Sequence, residues 1–347
     1  SGAISGVTTL TISNAGGTAT LSGDVDVTTL TIGNTVANVA INGDGSTVSN
    51  DIDFANDGTL QLGDATGDTL TFNGGLDTSD VGGTVTLNGT IATSNDAVTF
   101  GAVTLGSATT IDTNATNTTG DLTIGAVTGG SNNLTLTTGD NVANSDITAS
   151  GAISGLGNLT LADVGGTATF SANVAAAALS ADSTVANLVF TGASNTFSAA
   201  STLANDGTLQ FGDATGDSFT FNGGLTTSDV GGTVTLNTSI STSNDALVFG
   251  AITLGNNITL DTNATNTTGD LTIGAVTGGS NTLTLTTENN IANADITASG
   301  NISGVTTLTL TSVGGTATFA GDVDVTTLAI GNTVANVAIN GDGSTVS

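Results

Sequence analysis

Ser1-Gly2-Ala3-Ile4-Ser5-Gly6 returns as Ser150-Gly151-Ala152-Ile153-Ser154-Gly155 and again as Ser299-Gly300-Asn301-Ile302-Ser303-Gly304, at offsets of 150 − 1 = 149 and 299 − 150 = 149. The register holds inside the unit. Asp57-Gly58-Thr59-Leu60 matches Asp206-Gly207-Thr208-Leu209, and Asp112-Thr113-Asn114 matches Asp261-Thr262-Asn263, with 206 − 57 = 149 and 261 − 112 = 149. No insertion or deletion separates the copies. A longer period overlies this one. Gly23 to Ser49 reappears as Gly321 to Ser347 with only Thr31 changed, to Ala329, whereas the middle copy, Ala172 to Thr202, diverges. Units therefore alternate with a period of 2 × 149 = 298. The expected organisation is repeat unit A over 1–149, unit B over 150–298 and a partial unit A over 299–347. No capping unit is recognised at either end, so an excerpt of a longer array is expected.

Within the unit, apolar residues alternate with polar ones. Leu10/Ile12, Leu30/Ile32, Leu60/Leu62, Leu70/Phe72, Val85/Leu87, Val98/Phe100, Leu122/Ile124 and Leu134/Leu136 each flank an outward residue. A period of two marks a half-buried strand, and Thr, Val, Ile and Phe suit its pleated surface. Between the strands lie clusters such as Asn42-Gly43-Asp44-Gly45 and Gly129-Gly130-Ser131-Asn132, which supply the positive φ of tight turns. Ala175 to Ala178 is the most helix-like run and is too short to count. Strong strand doublets recur about 20–24 residues apart, the length of one coil of a solenoid. The expected fold is all-β: a parallel β-helix (β-solenoid) of tandem 149-residue repeats, with about seven coils per unit stacked ~4.8 Å apart. The alternative is a string of β-sandwich domains. The chain has no Trp, Tyr, Cys or Pro, and so none of the marks common in immunoglobulin-like sandwiches.

Composition narrows function sharply. Among 347 residues there is no Lys, Arg, His, Pro, Cys, Met, Trp or Tyr; the 29 Asp and Glu give a formal charge of −29. Acidic charge often goes with disorder, but 37% hydrophobic residues and a mean hydropathy of +0.27 oppose that here. Most general acids, bases and covalent nucleophiles are missing, as are the usual zinc, haem and iron–sulfur ligands. With no cation to meet phosphate, neither nucleic acid nor an anionic membrane surface is an expected partner. No run of 18 apolar residues exists, so no membrane insertion is expected. A secretory leader would need a basic stretch, and none is recognised.

Asn133-Leu134-Thr135-Leu136-Thr137-Thr138-Gly139, Ile147-Thr148-Ala149-Ser150-Gly151-Ala152-Ile153-Ser154-Gly155 and Gly157-Asn158-Leu159-Thr160-Leu161 resemble the repeats of filamentous-haemagglutinin-like exoproteins. They are similar, too, to the beta-strand-repeat regions of large bacterial surface proteins and autotransporter passengers. The resemblance covers the whole chain through its Gly, Thr, Asn and alternating apolar residues. It implies a right-handed β-helix at the cell surface serving as adhesin, stalk, sheath or surface layer. It carries no catalytic motif, and the total absence of Lys and Arg departs from it.

Candidate sites are few. Asp64-Ala65-Thr66-Gly67-Asp68 repeats as Asp213-Ala214-Thr215-Gly216-Asp217, and Asn42-Gly43-Asp44-Gly45-Ser46 repeats at 340–344 with Asp342 in the place of Asp44. Asp64, Asp68, Asp213, Asp217, Asp44 and Asp342 thus sit on Gly-rich turns of the kind that can offer oxygens to Ca²⁺; neither pattern is an EF-hand loop or a calcium β-roll nonapeptide. The competing reading is a solvated turn in which Asp bonds local backbone. Stacked coils also threaten to bring like charges together, Asp24/Asp26 and Asp51/Asp53 above all, which demands staggering or screening by ions. Thr-x-Thr pairs at Thr9/Thr11, Thr69/Thr71, Thr84/Thr86 and Thr135/Thr137 could form an ice-binding ladder, or simply be good outward strand residues. Asn114-Ala115-Thr116 and Asn117-Thr118-Thr119, repeated at Asn263 and Asn266, are glycosylation-type sequons. Glycoside hydrolysis needs only paired carboxylates, yet no aromatic platform or acid-raising pocket supports an enzyme.

The expected role is structural: an extracellular filament, stalk, sheath or surface layer whose partners are copies of itself. The alternative is an adhesin rod presenting a receptor- or glycan-binding tip, with a host or cell-surface glycan as ligand. A chain without trypsin sites or easily oxidised side chains suits long life outside the cell.

Overall fold

The computed structural model describes residues 2–116, 120–139, 142–265, 269–288 and 291–347. The described residues form 39 strands and no helix, and the chain divides into two compact units. The first comprises Ser1–Ala172 with Thr184–Ala186; the second comprises Asn173–Ser183 with Asn187–Ser347. Every alternating pair quoted above falls on a strand, for example Leu10/Ile12 in Ile4–Ile12 and Leu134/Leu136 in Leu134–Thr137. Ala175 to Ala178 lies in the strand Val174–Ala181.

Strand pairing is parallel throughout both units, and it builds a β-solenoid of about 16 turns in all. Three ladders run through the first unit. One is the residue column Ala19, Val39, Leu60, Val85, Val103, Val127 and Ile153. A second runs Leu70, Ile91, Ile111, Leu136 and Leu161. The third runs Ile52, Leu76, Val98, Leu122, Ile147 and Ala168. The second unit repeats the plan, with Leu188, Leu209, Val234, Ile252, Val276, Ile302 and Val323 in one column. β-Sandwiches pair their strands antiparallel, so that alternative is set aside.

The three columns point inward and meet in a narrow core. All 11 Phe are buried, each in the core of its own unit, beside the Leu, Ile and Val of that unit's ladders. In the second unit Phe211 stacks on Phe190 at 6.1 Å and meets Phe219 and Phe221 edge-on at 5.2 and 5.9 Å. Inward Thr residues close the corners: Thr113 Oγ1 donates to Gly120 O at 2.6 Å, and Thr262 Oγ1 to Gly269 O at 2.7 Å.

The coils vary more than the 20–24 residues expected. Val103 follows its partner Val85 by 103 − 85 = 18 residues, and Ile153 follows Val127 by 153 − 127 = 26. Val127 and Thr128 pair one for one with Ile153 and Ser154, but the Val85/Val103 ladder shifts register after Leu87, Gly89 facing Thr109, so a bulge in the strand Val103–Asp112 takes up two residues. The corners absorb the rest, because a surface corner tolerates extra residues more readily than a hydrogen-bonded ladder.

Candidate functional site

The acidic turns are built from their own backbone. Between the strands Leu60–Leu62 and Thr69–Phe72, Asp68 turns back so that its Oδ2 accepts from Asp64 N at 2.6 Å and Ala65 N at 2.9 Å. Asp217 does the same with Asp213 N and Ala214 N, at 2.9 and 3.0 Å. Asp44 belongs to the coil before the Asp64–Asp68 turn, and its Oδ1 accepts from Thr69 N at 3.1 Å. That contact brings Asp44 and Asp68 to one corner. The second unit has Ala193 in the place of Asp44 (193 − 44 = 149), so it lacks the third acid. Asp342 is exposed on the last turn, where Gly343 N donates instead to Asp322 Oδ1 at 2.9 Å. Ca²⁺ takes six to eight oxygens. Among the described residues no three Asp or Glu gather closely enough to hold a metal ion, so any cation here would draw chiefly on turn carbonyls and water.

The wider pattern was not visible from the sequence: Asn and Asp at the corners clamp one coil to the next. Asn38 Oδ1 accepts from both Thr59 N and Thr59 Oγ1 at 2.9 Å, 21 residues on, and Asn187 does likewise with Thr208. Asp121 Oδ1 takes Asp146 N at 3.0 Å, and Asp146 Oδ1 takes Thr167 N at 2.7 Å; Asp270 and Asp295 form the equivalent chain with Thr316. A carboxylate on an N–H makes a charge-assisted bond, and so part of the negative charge is placed where the backbone offers donors. The available signal was an Asn or Asp recurring 21 or 25 residues before a Thr, Asp or Asn.

Staggering solves part of the stacking problem along the strands, although Asp121 and Asp146, and Asp270 and Asp295, still follow one another at the corners. Asp26 lies over Thr47, Asp112 over Thr137 and Asp324 over Thr345. Among the register pairs of described residues, only Asp53 and Asp77 set acid on acid. Partial burial, then Asp77, Asp80 and Asp51, push the Asp53 carboxyl above the usual carboxylate range. Asp261 is also raised, to about 6: its half-burial disfavours the anion, Asn263 N–H at 2.9 Å works the opposite way, and Glu288 raises it further.

Thr ladders do form. Thr69, Thr90, Thr110, Thr135 and Thr160 stack in one rank. They do not form a sustained double rank: Thr9/Thr11 lie over Thr29/Thr31, but Thr137 is buried. The sequon Asn114 spends its amide nitrogen on Thr93 O at 3.0 Å, and Asn263 on Thr242 O at 2.8 Å. Asn117 and Asn266 lie outside the described residues.

Surface grooves are open and polar. One of about 410 Å³ is lined by Gly6, Val7, Asp26 and Thr47; it recurs 298 residues later at Gly304, Val305, Asp324 and Thr345 (304 − 6 = 298), at about 290 Å³. No helix among the described residues is long and apolar enough to cross a membrane. The chain matches no known family model, no curated protein and no solved structure.

Proposed function

We propose that the chain is a structural segment of an extracellular protein, a filament, stalk, sheath or surface layer made of stacked β-solenoid coils. The observation that carries this reading is the coil-on-coil stacking of parallel strands within each unit. Near-exact repeats make stability additive along a solenoid axis, and their inward residues are consumed by packing. The absence of Lys and Arg leaves no trypsin site, which suits exposure to proteases, and the resemblance of the repeats to large exoproteins points the same way. The partners in this reading are further copies of the chain, and divalent cations such as Ca²⁺ serve to screen its −29 charge. Electron microscopy of the purified chain with and without Ca²⁺ tests it. Elongated particles that associate when Ca²⁺ is added are the expected result, and compact particles indifferent to the cation would remove the proposal.

The adhesin reading draws on one feature, the polar groove repeated every 298 residues. Glycan-array binding lost on Asp26→Asn together with Asp324→Asn would favour it over a purely structural role.

A further inference from the structure

Thr78 stands where its neighbours are aromatic. Leu76 and Asp77 pair in register with Ile52 and Asp53 on one side, and with Val98 and Thr99 on the other. The ladder runs one residue further: Phe54 N donates to Asp77 O at 2.8 Å, and Thr78 N to Thr99 O at 2.9 Å. Phe54, Thr78 and Phe100 thus follow one another in a single inward column, and all three are buried. A threonine between two phenylalanines leaves space that a ring would fill, and it brings a hydroxyl into an apolar column. Such a group is costly there unless it is hydrogen-bonded.

The Thr78 hydroxyl meets no bonding partner among the described residues, and neither does a second atom of the same corner, Asn56 Oδ1. Asn56 is fully buried. Its amide nitrogen donates to Gly58 O and Thr59 O, both at 3.1 Å, which fixes the end of the side chain that carries the oxygen. Gly82 N donates to Asn56 O at 2.9 Å, so residues 54–56 of one coil lie against residues 77–82 of the next. The inward threonines of another corner behave differently. Thr93, Thr113 and Thr138 each donate to a carbonyl of the following coil, at 2.9, 3.3 and 2.9 Å.

The second unit keeps the arrangement, with Thr227 in the place of Thr78 (227 − 78 = 149) and Asn205 in that of Asn56 (205 − 56 = 149). Thr227 pairs with Phe249 and follows Leu203 in its column. The Asn205 amide nitrogen again donates to the turn, to Gly207 O at 3.2 Å and Thr208 O at 3.0 Å. Thr227 Oγ1 is buried and, like Thr78 Oγ1, meets no partner among the described residues. Phe54 has become Leu203 beside it, yet the hydroxyl has stayed.

We propose that this corner binds one internal water molecule in each unit. In the first unit the Thr78 hydroxyl donates to the water and the water donates to Asn56 Oδ1, which ties two consecutive coils together. In the second unit the water is held by Thr227 Oγ1. A buried water is held by two to four polar groups, and the corner carbonyls, with two lone pairs each, supply the remaining acceptors. An array of such units carries one bound water every 149 residues.

A crystal structure of the chain that resolves its ordered surface waters tests this. The expected result is a density peak about 2.7–3.2 Å from both Asn56 Oδ1 and Thr78 Oγ1, with a counterpart beside Thr227 Oγ1. An empty map at Thr78, or a Thr78 hydroxyl bonded directly to a protein acceptor, overturns the proposal. So does a peak ringed by oxygens at about 2.3–2.6 Å, which is a cation's distance. Thr78→Val asks the same question in solution, because it keeps the side chain's shape and removes only the hydroxyl. A hydroxyl bonded to water makes this variant melt about 2–4 °C lower, and Thr227→Val should do the same. An orphaned hydroxyl is better replaced by a methyl group, so an unchanged or higher Tm also overturns the proposal.

Discussion

A carboxamide at a coil corner does here what a cap does for a helix: it gives a specific backbone N–H its acceptor. Asn38 takes two hydrogen bonds from Thr59, and a net contribution of about 1 kcal/mol is typical of such a contact. Asn38→Ala should therefore lower the stability of the first unit by about 1 kcal/mol in urea unfolding, and Asn38→Asp by less, since the acceptor survives. Asp53 presents the opposite case. It lies in register with Asp77, and although the residue is largely exposed its carboxyl is raised by partial desolvation and by three neighbouring acids. Asp53→Asn should raise Tm at neutral pH and low ionic strength. The gain should vanish near ~1 M salt, where the screening length is only ~3 Å; a loss of stability at low salt would mean that this carboxylate makes a contact worth more than the repulsion it suffers. The acidic turns themselves were readable as turns from their Gly and Asp. That Asp68 folds back onto the amides of Asp64 and Ala65 was not, because the same residues could as well have faced outward to solvent.

Strands were the most legible elements. Leu60-Gln61-Leu62 and Val98-Thr99-Phe100 are short, yet their inner residues can only face the core once the period of two is accepted. Coil length was less legible. It depends on how many residues each corner holds, and a corner rich in Gly, Asn and Ser closes equally well with several counts. The divergent middle copy also hid a repacking. Ile41, Val48, Leu62 and Leu70 of the first unit become Phe190, Phe197, Phe211 and Phe219 in the second, while Phe54 becomes Leu203. All of these are core positions, so aromatic volume has been added to the same ladders rather than placed on the surface. Phe211 touches three other rings; Phe211→Ala should cost about 3–5 kcal/mol. Thermal unfolding would check it. A cost below about 1 kcal/mol would mean that the aromatic cluster is loosely packed.

Across the whole molecule every ionisable side chain is an acid, and the carboxyls of Asp53 and Asp261 are both raised. A carboxyl raised in the folded state binds its proton more tightly there than in the unfolded chain, so acidification from neutrality favours folding. Tm should accordingly rise as the pH falls from about 7 to about 5, the reverse of ordinary acid denaturation, and added salt should matter more at the higher pH. A monotonic fall in Tm over that range would show that the carboxylates bonded to backbone amides, such as Asp146 on Thr167, outweigh the repelled ones. The parallel ladders carry a further consequence. Within each unit a strand finds its partner one coil along the chain, at separations such as 21 or 25 residues, so these pairings do not wait for a distant segment to be synthesised. Loop closure is correspondingly inexpensive. Winding can start at any coil and advance turn by turn while the remainder of the polypeptide is still emerging, each finished coil serving as the template for the next.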